Sequence, residues 1–482
     1  MADLHEECGV FGAFAPRPEN LAGMAYYGLY ALQHRGQESC GIVVCDDGVF
    51  TTHRDLGVIN EVFTKEVMDD FPMGTMAVGH VRYGTTGGNN RANCQPVVVN
   101  HMKGKLALAH NGNLSNAYEL RSRLELSGAI FHGTSDTEII AYLITQQRLK
   151  TASIEEAVCR TMDELDGAYS LVIMSAAKMV AARDPRGFRP LCYGQCADGT
   201  WVIASESCAL AAVGAKFQRD ILPGEILIFD ENGIHSDRSH CAALKHTPCI
   251  FEYIYFARAD SVIDGVSVHA ARKNAGKLLA RRHPVEADLV VGVPDSGLDA
   301  ALGYAEESGI PYGIGFIKNK YIGRTFISPG QGQRMNQVKI KLNPIEEAVK
   351  GKRVVLIDDS IVRGTTSGQI VNLIREAGAK EIHVRISAPP FRNPCYYGTD
   401  IDSRDNLIAC KYSIEEIAKI IGADSLGYLD IEDLTEMIGS KDYCHACFSG
   451  EYPTPVPTHT EKDRFEGKLS QREKKKKKGN TA

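Results

Sequence analysis

One stretch, residues 353–379, constrains the fold more than any other part of the chain. It opens with the apolar run Val354–Ile357, which is too short for a helix and typical of a buried parallel strand. Asp358 and Asp359 follow this strand, and a short loop then ends in Gly364-Thr365-Thr366 before residues with helical apolar spacing. Strand, small hydroxylated loop and helix in this order predict an α/β domain with a ligand site at the carboxyl ends of its strands.

The loop has the residue types of a sugar-phosphate site. Backbone N–H groups of Gly364-Thr365-Thr366 and the positive end of the following helix suit a phosphate. Asp358 and Asp359 suit sugar hydroxyls or a hydrated Mg²⁺, and Ser360 and Arg363 lie between the two halves of the loop. The Gly-Lys-Ser/Thr ending of a Walker A loop is absent. The plainer alternative is a strand-turn-helix with a capping acid.

Length and composition indicate a globular chain of several domains. A chain of 482 residues with 44% hydrophobic and 24% charged residues predicts two or three domains. No run of about 18 apolar residues occurs, so we expect no membrane span. A net charge of −6 gives no indication of nucleic-acid binding. The start of the chain does not resemble a secretion signal, so its fourteen cysteines are expected to be reduced cytoplasmic thiols.

Cys8 is a candidate nucleophile near the start of the chain. If residues 1–7 were removed as a propeptide, Cys8 would carry a thiol and an α-amine on one residue. An α-amine has a pKa near 8 and can accept the thiol proton near neutral pH. The alternative is that Cys8 is one buried cysteine among many.

Four further motifs favour the catalytic interpretation. In chain order they are QHRGQE at 33–38, GHVRYGT at 79–85, AHNGNL at 109–114 and SDTE at 135–138. Together with Cys8 they resemble the N-terminal-nucleophile (Ntn) glutamine amidotransferase domain over about residues 8–235. The alternation of strand-like segments with turn residues from 153 to 235 fits antiparallel sheets, and the resemblance implies an αββα sandwich.

The resemblance assigns a role to each charged or polar group. Arg82 would bind the glutamine α-carboxylate as a bidentate fork, and Asp136 would pair with the α-ammonium. The Asn111 side chain and the Gly112 N–H would stabilise the tetrahedral oxyanion. Taken singly, these residues have plainer explanations as a surface ion pair, a helix cap and a tight turn.

Two histidines next to these motif residues are expected to be structural. His80 and His110 flank the predicted glutamine pocket. In the family resembled, the terminal amine acts as the base, so neither imidazole is needed for proton transfer.

After residue 236, strands alternate with helices, which predicts a second, parallel-sheet domain over 236–450. Its Asp-Asp loop resembles the phosphoribosyl diphosphate (PRPP) loop of type I phosphoribosyltransferases. The resemblance implies that Ser296, in Pro294-Asp295-Ser296-Gly297, contacts Mg²⁺ together with Asp358 and Asp359. It also implies that Lys318, Tyr321 and Arg324 belong to a loop that closes over PRPP.

An amidotransferase domain followed by a PRPP domain resembles the amidophosphoribosyltransferase family. The resemblance implies that Cys8 releases ammonia from glutamine and that the ammonia displaces diphosphate from C1 of PRPP, with one Mg²⁺ per subunit. It also implies a homotetramer inhibited by purine nucleotides. Two rivals remain. One is a sugar-phosphate synthase, which would carry sugar isomerase repeats in place of the Asp-Asp loop. The other is a PRPP sensor with an inert amidotransferase.

Four cysteines match positions of the iron–sulfur members of that family. Cys444 and Cys447 form a lone C-x-x-C, which alone is compatible with redox activity, zinc or half of a cluster. With Cys249 and Cys395, the resemblance implies one [4Fe–4S] cluster per subunit that links three segments, with zinc as the alternative. Residues 451–482, which contain a lysine run, are expected to be a partly disordered tail.

Overall fold

The computed structural model describes residues 8–83, 90–319, 341–399, 401 and 403–457. Its first part contains two antiparallel sheets, and it confirms the predicted αββα sandwich. The first sheet has the order β11-β9-β10-β1-β4-β2-β3 and the second β13-β12-β8-β7-β6-β5. The strands of the first sheet are β1 (Gly9–Glu19), β2 (Ser39–Asp46), β3 (Val49–Leu56), β4 (Gly74–Arg82), β9 (Cys192–Gln195), β10 (Trp201–Ala204) and β11 (Lys216–Asp220).

The second sheet packs face to face on the first. Its strands are β5 (Val97–His101), β6 (Gly104–Leu114), β7 (Gly167–Met174), β8 (Met179–Arg183), β12 (Ile226–Asp230) and β13 (Gly233–Asp237). A buried apolar layer that includes Val10, Val172 and Phe229 lies between the sheets. Every residue of β7 and β8 is buried, so these two strands are covered on both faces.

Helices cover the outer faces of both sheets. On the first sheet, the apolar residues of α1 and α7 join the core, which includes Leu21, Leu29 and Leu210. On the second sheet, α5 and α6 contribute Ile140, Ile144 and other residues. The helices of this domain are α1 (Leu21–Ala31), α2 (Ile59–Val62), α3 (Lys65–Asp69), α4 (Ala117–Leu126), α5 (Asp136–Arg148), α6 (Ile154–Met162) and α7 (Ser207–Ala212).

The second domain is built on a parallel sheet of order β16-β19-β20-β21. These strands are β16 (Leu289–Gly292), β19 (Arg353–Asp358), β20 (Glu381–Ile386) and β21 (Ser425–Tyr428). The run predicted as a strand from its apolar residues is therefore the second strand of the sheet. The short strands β14 (Val262–Ile263) and β15 (Val266–Ser267) form one ribbon, and β17 (Phe316–Lys318) and β18 (Leu342–Pro344) form another.

Helices pack against this sheet and place the loops of the site. The crossover helices start directly after the strand ends, so the connecting loops meet at one edge of the sheet. The helices are α8 (Val268–Arg282), α9 (Gly297–Ser308), α10 (Glu346–Val349), α11 (Thr365–Glu376), α12 (Ile414–Ile421), α13 (Asp433–Ile438) and α14 (Ala446–Ser449). A π-helix at Glu252–Phe256 precedes α8. No helix in the described ranges is long and apolar enough to cross a bilayer.

Candidate active sites

Cys8 and Arg82 lie at neighbouring ends of β1 and β4. The antiparallel register puts Gly9 opposite Val81. Cys8 and Arg82, which are the next residues beyond that pair, therefore meet at one sheet edge. The Cys8 Sγ donates to the carbonyl oxygen of Tyr83 at 3.6 Å. Cys8 is 7% exposed and Arg82 is 2% exposed. Arg82 is therefore not a surface residue, and its guanidinium belongs to the same buried edge as the thiol.

Asn111 and Gly112 lie on β6, next to this edge. Asn111 is fully buried, and within the described part of the chain neither its side-chain oxygen nor its nitrogen has a hydrogen-bond partner. Gly112 has φ +137°, and a Cβ there would lie 2.2 Å from the Ala168 carbonyl oxygen. A buried amide without partners is costly, which is consistent with an amide that awaits a bound oxyanion.

His80 and His110 connect β4 to β6, in agreement with a structural role. The His80 Nε2 lies 3.0 Å from the carbonyl oxygen of His110. Burial lowers the pKa of His80 to about 3, so the imidazole is neutral and its Nε2–H donates to that carbonyl. The bond holds the strand that ends in Arg82 against the strand that carries Asn111.

Asp136 begins α5 and faces the end of β6. Its Oδ2 accepts a hydrogen bond from the Leu114 N–H at 3.0 Å, and its Oδ1 lies 3.5 Å from His110 Nδ1. Burial acts to raise the pKa of Asp136, but His110, the Leu114 N–H and Arg82 outweigh it and lower the pKa. The helix is capped by Ser135 instead. Asp136 thus provides a negative charge near the positive charge of Arg82. Binding an amino-acid zwitterion requires one group of each sign.

Ser296 and Asp359 join the two predicted loops of the second site. The Ser296 Oγ donates to Asp359 Oδ2 at 2.5 Å, and Ser360 donates to the other carboxylate oxygen. The Asp359 N–H donates to Asp358 Oδ1 at 2.9 Å. The parallel pairing of β16 with β19 brings these loops together at the carboxyl ends of their strands.

Burial disfavours the charged forms of the two carboxyls of this site. Burial and the neighbouring Asp359 raise the pKa of Asp358 well above its ordinary value. Burial also raises the pKa of Asp359, although hydrogen bonds from Ser296 and Ser360 and the charge of Arg272 oppose this. Such a pair attracts a cation, and the donor set of two carboxylates and a hydroxyl fits Mg²⁺ that also binds substrate oxygens and water.

The phosphate half of the site forms the start of α11. Gly364 precedes the helix with φ +80°, and a Cβ there would lie 2.7 Å from Ile408 Cδ1. Thr365 is exposed, Thr366 is half-buried and Arg363 is exposed. The first turn of this helix of twelve residues therefore presents N–H groups and hydroxyls to solvent, as an anion site requires.

Lys318 has a partner that the sequence did not reveal. Its ammonium forms an ion pair with Asp295, in the loop that carries Ser296. The peptide bond between Pro294 and Asp295 is cis. Lys318 thus lies beside the loop predicted to contact Mg²⁺, and it is paired with a carboxylate. Tyr321 and Arg324 lie outside the described residues.

Four cysteines from three segments converge. The backbones of Cys249 and Cys444 pair as an isolated parallel β-bridge. The Cys444 N–H donates to the Pro248 carbonyl oxygen at 2.8 Å. Burial, followed by the nearby Cys395, Cys249 and Cys444, raises the pKa of Cys447 well above its ordinary value. In the described ranges, however, no three His, Cys, Asp or Glu side chains come close enough to hold a single metal ion.

The sequence interpretation missed a buried group of charges between the domains. Arg35 contacts the carboxylates of both Glu206 and Glu252. Arg189 contacts Glu252 at 3.2 Å and donates to the carbonyl oxygen of Tyr397 at 2.7 Å. Arg35 stands in the QHRGQE motif, but nothing in the sequence identified the partners of either arginine.

The two sites and their folds define a class: glutamine-dependent phosphoribosyltransferases. A family model for a glutamine amidotransferase domain matches residues 83–212, and one for a phosphoribosyl transferase domain matches residues 266–420. The amidophosphoribosyltransferase of Methanocaldococcus jannaschii is 48% identical over 93% of this chain and 98% of that protein. The Bacillus subtilis amidophosphoribosyltransferase is 48% identical over 94% of this chain and 95% of that protein.

Solved structures agree. The glutamine PRPP amidotransferase from B. subtilis, complexed with ADP and GMP, matches with a TM-score of 0.86 and 47% identity over 94% of this chain and 98% of that one. The chain belongs to the amidophosphoribosyltransferase family. Its reaction takes nitrogen from glutamine and transfers it to PRPP, giving 5-phosphoribosylamine, glutamate and diphosphate, the first committed step of purine synthesis.

Proposed function

We propose that Cys8, Arg82, Asn111, Gly112 and Asp136 perform the glutaminase half of this reaction. Arg82 binds the α-carboxylate of glutamine, and Asp136 binds the α-ammonium. The Cys8 thiol attacks the side-chain amide while its own α-amine takes the thiol proton and then gives it to the departing ammonia. Asn111 and the Gly112 N–H hold the oxyanion. Water then hydrolyses the thioester to glutamate. The unpartnered Asn111 amide supports this assignment.

The loops around Asp358 and Gly364 are proposed to hold PRPP. The carboxylates of Asp358 and Asp359 hold the ribose hydroxyls, while Ser360 to Thr366, with Arg363, hold the 5-phosphate. Ser296 and the two carboxylates hold Mg²⁺, which when bound neutralises the diphosphate leaving group. When PRPP binds, the Lys318 ammonium leaves Asp295 and binds the diphosphate. Tyr321 and Arg324 belong to the same loop, which closes over PRPP.

One observation carries the proposal that the two halves work together. Asn111 and Asn113 are two positions apart on β6. Asn111 belongs to the glutamine pocket, and the Asn113 Nδ2 donates to the Tyr396 carbonyl oxygen of the second domain at 3.3 Å. The glutamine site therefore lies at the interface of the domains. An internal passage would deliver uncharged ammonia, because ammonium has no lone pair with which to attack C1.

We further propose one [4Fe–4S] cluster on Cys249, Cys395, Cys444 and Cys447. The backbones of Cys249 and Cys444 pair as an isolated β-bridge, and Cys395, Cys249 and Cys444 lie near Cys447. This convergence supports a shared four-thiolate centre. The family resemblance favours iron–sulfur over zinc. All fourteen cysteines lie in the described ranges and none is in a disulfide, which supports a cytoplasmic location.

Two finer features of the proposal rest on the family resemblance alone: residues 1–7 are removed as a propeptide, and the enzyme is a homotetramer. A third is that purine nucleotides inhibit the enzyme. The B. subtilis relative that was solved in complex with ADP and GMP supports this third feature. A second solved structure, described as the allosteric regulatory enzyme of purine biosynthesis, has a TM-score of 0.88 and 48% identity over 94% of this chain and 97% of that one.

Glutamate release from anaerobically purified protein, with and without PRPP, tests the coupled function. We expect PRPP to stimulate release and phosphoribosylamine to form with glutamine or ammonia. Absence of glutaminase activity would favour a PRPP sensor. Iron and sulfide analysis of the same sample tests the cluster, since zinc without sulfide contradicts it. Intact mass tests removal of residues 1–7.

A further inference from the structure

Arg189 occupies a position that neither half-reaction explains. Its side chain is fully buried. Its Nε and Nη2 donate to the Tyr397 carbonyl oxygen at 3.2 and 2.7 Å, and its Nη1 donates to Glu252 Oε1 at 3.2 Å. Its own carbonyl oxygen accepts a bond from Arg183 Nε at 2.8 Å. A residue of the amidotransferase domain is thus fixed at its backbone and reaches two segments of the other domain.

Both segments carry a cysteine of the proposed cluster. Tyr397 follows Cys395 by two residues, and its N–H donates to the Cys395 Sγ at 3.4 Å. The Glu252 N–H donates to the carbonyl oxygen of Cys249 at 3.2 Å. One planar guanidinium therefore fixes the distance between the Cys249 and Cys395 segments.

Phe188, next to Arg189, makes contacts with the same two segments. Its carbonyl oxygen accepts from the Cys249 N–H at 3.1 Å. Its ring stacks on Tyr397 with the centroids 4.2 Å apart. Two adjacent residues of the amidotransferase domain thus hold both cysteine segments.

The contacts of Glu252 also lead to the proposed glutamine pocket. Glu252 also accepts from Arg35, which precedes Gly36 in the QHRGQE motif. A Cβ at Gly36 would lie 2.6 Å from the Arg82 backbone nitrogen, so this turn packs directly on Arg82. The Glu38 N–H donates to the Arg82 carbonyl oxygen at 3.1 Å. A shift of Arg35 is therefore transmitted to the proposed carboxylate-binding residue.

We propose that Arg189 is a positioning residue that keeps the Cys249 and Cys395 segments in register with the Arg35 turn beside the glutamine pocket. The inference rests on the proposed cluster and glutamine site, and it adds a connection between them. Loss of the cluster then weakens glutamine binding through Glu252 and Arg35. Removal of Arg189 has two effects, because it loosens the cysteine segments and leaves Glu252 with one cationic partner in place of two.

Arg189→Gln and Arg189→Lys test the connection. Lysine keeps the charge, but it cannot donate to Tyr397 and Glu252 with the geometry of a planar fork. The matched control is Arg219→Gln, because Arg219 makes a bidentate pair with Glu225 at 2.7 Å inside the amidotransferase domain. The measurements, on full-length protein purified anaerobically, are the KM for glutamine, the kcat with ammonia, iron and sulfide content, and the half-life of cluster absorbance in air.

We expect Arg189→Gln to raise the KM for glutamine about tenfold and to shorten the half-life in air several-fold, while the kcat with ammonia changes by less than about twofold. For Arg189→Lys, we expect a KM and a half-life between those of Arg189→Gln and the wild type. If Arg189→Gln does not fold, Arg189→Lys is used for the test. Arg219→Gln leaves the KM and half-life unchanged. Equal loss of glutamine- and ammonia-dependent synthesis, or an unchanged KM or half-life, overturns the inference. Wild-type protein without iron instead overturns the cluster itself.

Discussion

Ser296 and Asp359 are joined by a hydrogen bond of 2.5 Å, from the Ser296 Oγ to the Asp359 Oδ2. The bond connects the loop after β16 to the loop after β19, so the groups proposed to hold diphosphate and ribose move as one unit. It also favours the charged form of Asp359, because a donor to a carboxylate lowers its pKa.

Ser296→Ala removes both effects. We expect the kcat of ammonia-dependent synthesis to fall about tenfold, as for other groups that orient a metal ligand. The pKa of Asp359 rises without its donor, so the acid limb of the pH–rate profile moves to higher pH. Steady-state rates with ammonia across the pH range check this. Ser308→Ala, at the other end of α9, serves as the control, and an unshifted acid limb contradicts the proposed role.

Asn111→Ala tests the oxyanion assignment. Loss of one preorganised donor lowers kcat by about 10²–10³ in comparable sites. We therefore expect glutaminase kcat to fall by that factor, with the KM for glutamine little changed and ammonia-dependent synthesis intact. A rise in KM with an unchanged kcat would show that Asn111 binds the substrate amide in the ground state only.

Gly112→Ala tests the backbone at the same site, with Gly104→Ala as a control on β6. Both glycines have positive φ, +137° and +120°. An alanine Cβ at residue 112 meets the Ala168 carbonyl oxygen, whereas residue 104 has nothing within 4 Å. Both variants should lose about 1–2 kcal/mol from backbone strain, and Gly112→Ala should lose more because of this collision. Only Gly112→Ala should lose glutaminase activity, and equal activity in the two variants would contradict the assignment.

Individual strands and helices of this fold could be predicted because each depends on residues that are close together in the sequence. The run at 354–357 is β-branched and is followed by two acids, and it is indeed the strand that ends in Asp358. The roles predicted for Asn111 and Asp136 depended on a family resemblance, and the structure brings these residues to one edge of the sandwich.

The ion-pair partners of Arg35 and Lys318 were not predicted from the sequence. Arg35 and Glu252 are 217 positions apart, and no periodicity or motif relates them. The same holds for Lys318, whose pairing with Asp295 depends on how the loop after β16 approaches the ribbon of β17 and β18. A buried ion pair such as Arg35–Glu252 is set by the packing of whole domains, because each charge needs its partner at the same depth.

The buried imidazole of His80 makes stability depend on pH. Burial lowers its pKa from 6.5 to about 3, so between those values the unfolded chain binds a proton that the folded chain does not. The free energy of unfolding therefore falls as the pH decreases through this range. Between about pH 7.5 and 5.5, this one group should lower the free energy of unfolding by about 1 kcal/mol.

His80→Gln removes that dependence while its amide can still donate to the His110 carbonyl oxygen. Urea unfolding followed by the fluorescence of Trp201, the chain's one tryptophan, reports on this domain. Over that pH interval, the free energy of unfolding of the variant should fall by about 1 kcal/mol less than that of the wild type. His235→Gln, at a half-exposed histidine of the same domain, should follow the wild type. Parallel pH curves for the wild type and His80→Gln would contradict a buried neutral His80.

The central claim is that nitrogen released at Cys8 is consumed at the PRPP loop, and Cys8→Ser tests it most directly. Phosphoribosylamine formation should be measured in anaerobically purified protein with glutamine and, separately, with ammonia, alongside Cys159→Ser on α6 as the control. We predict that Cys8→Ser loses glutamine-dependent synthesis and keeps the ammonia-dependent rate, while the control keeps both. Loss of both activities to the same extent in Cys8→Ser, or retention of the glutamine-dependent rate, would contradict the account.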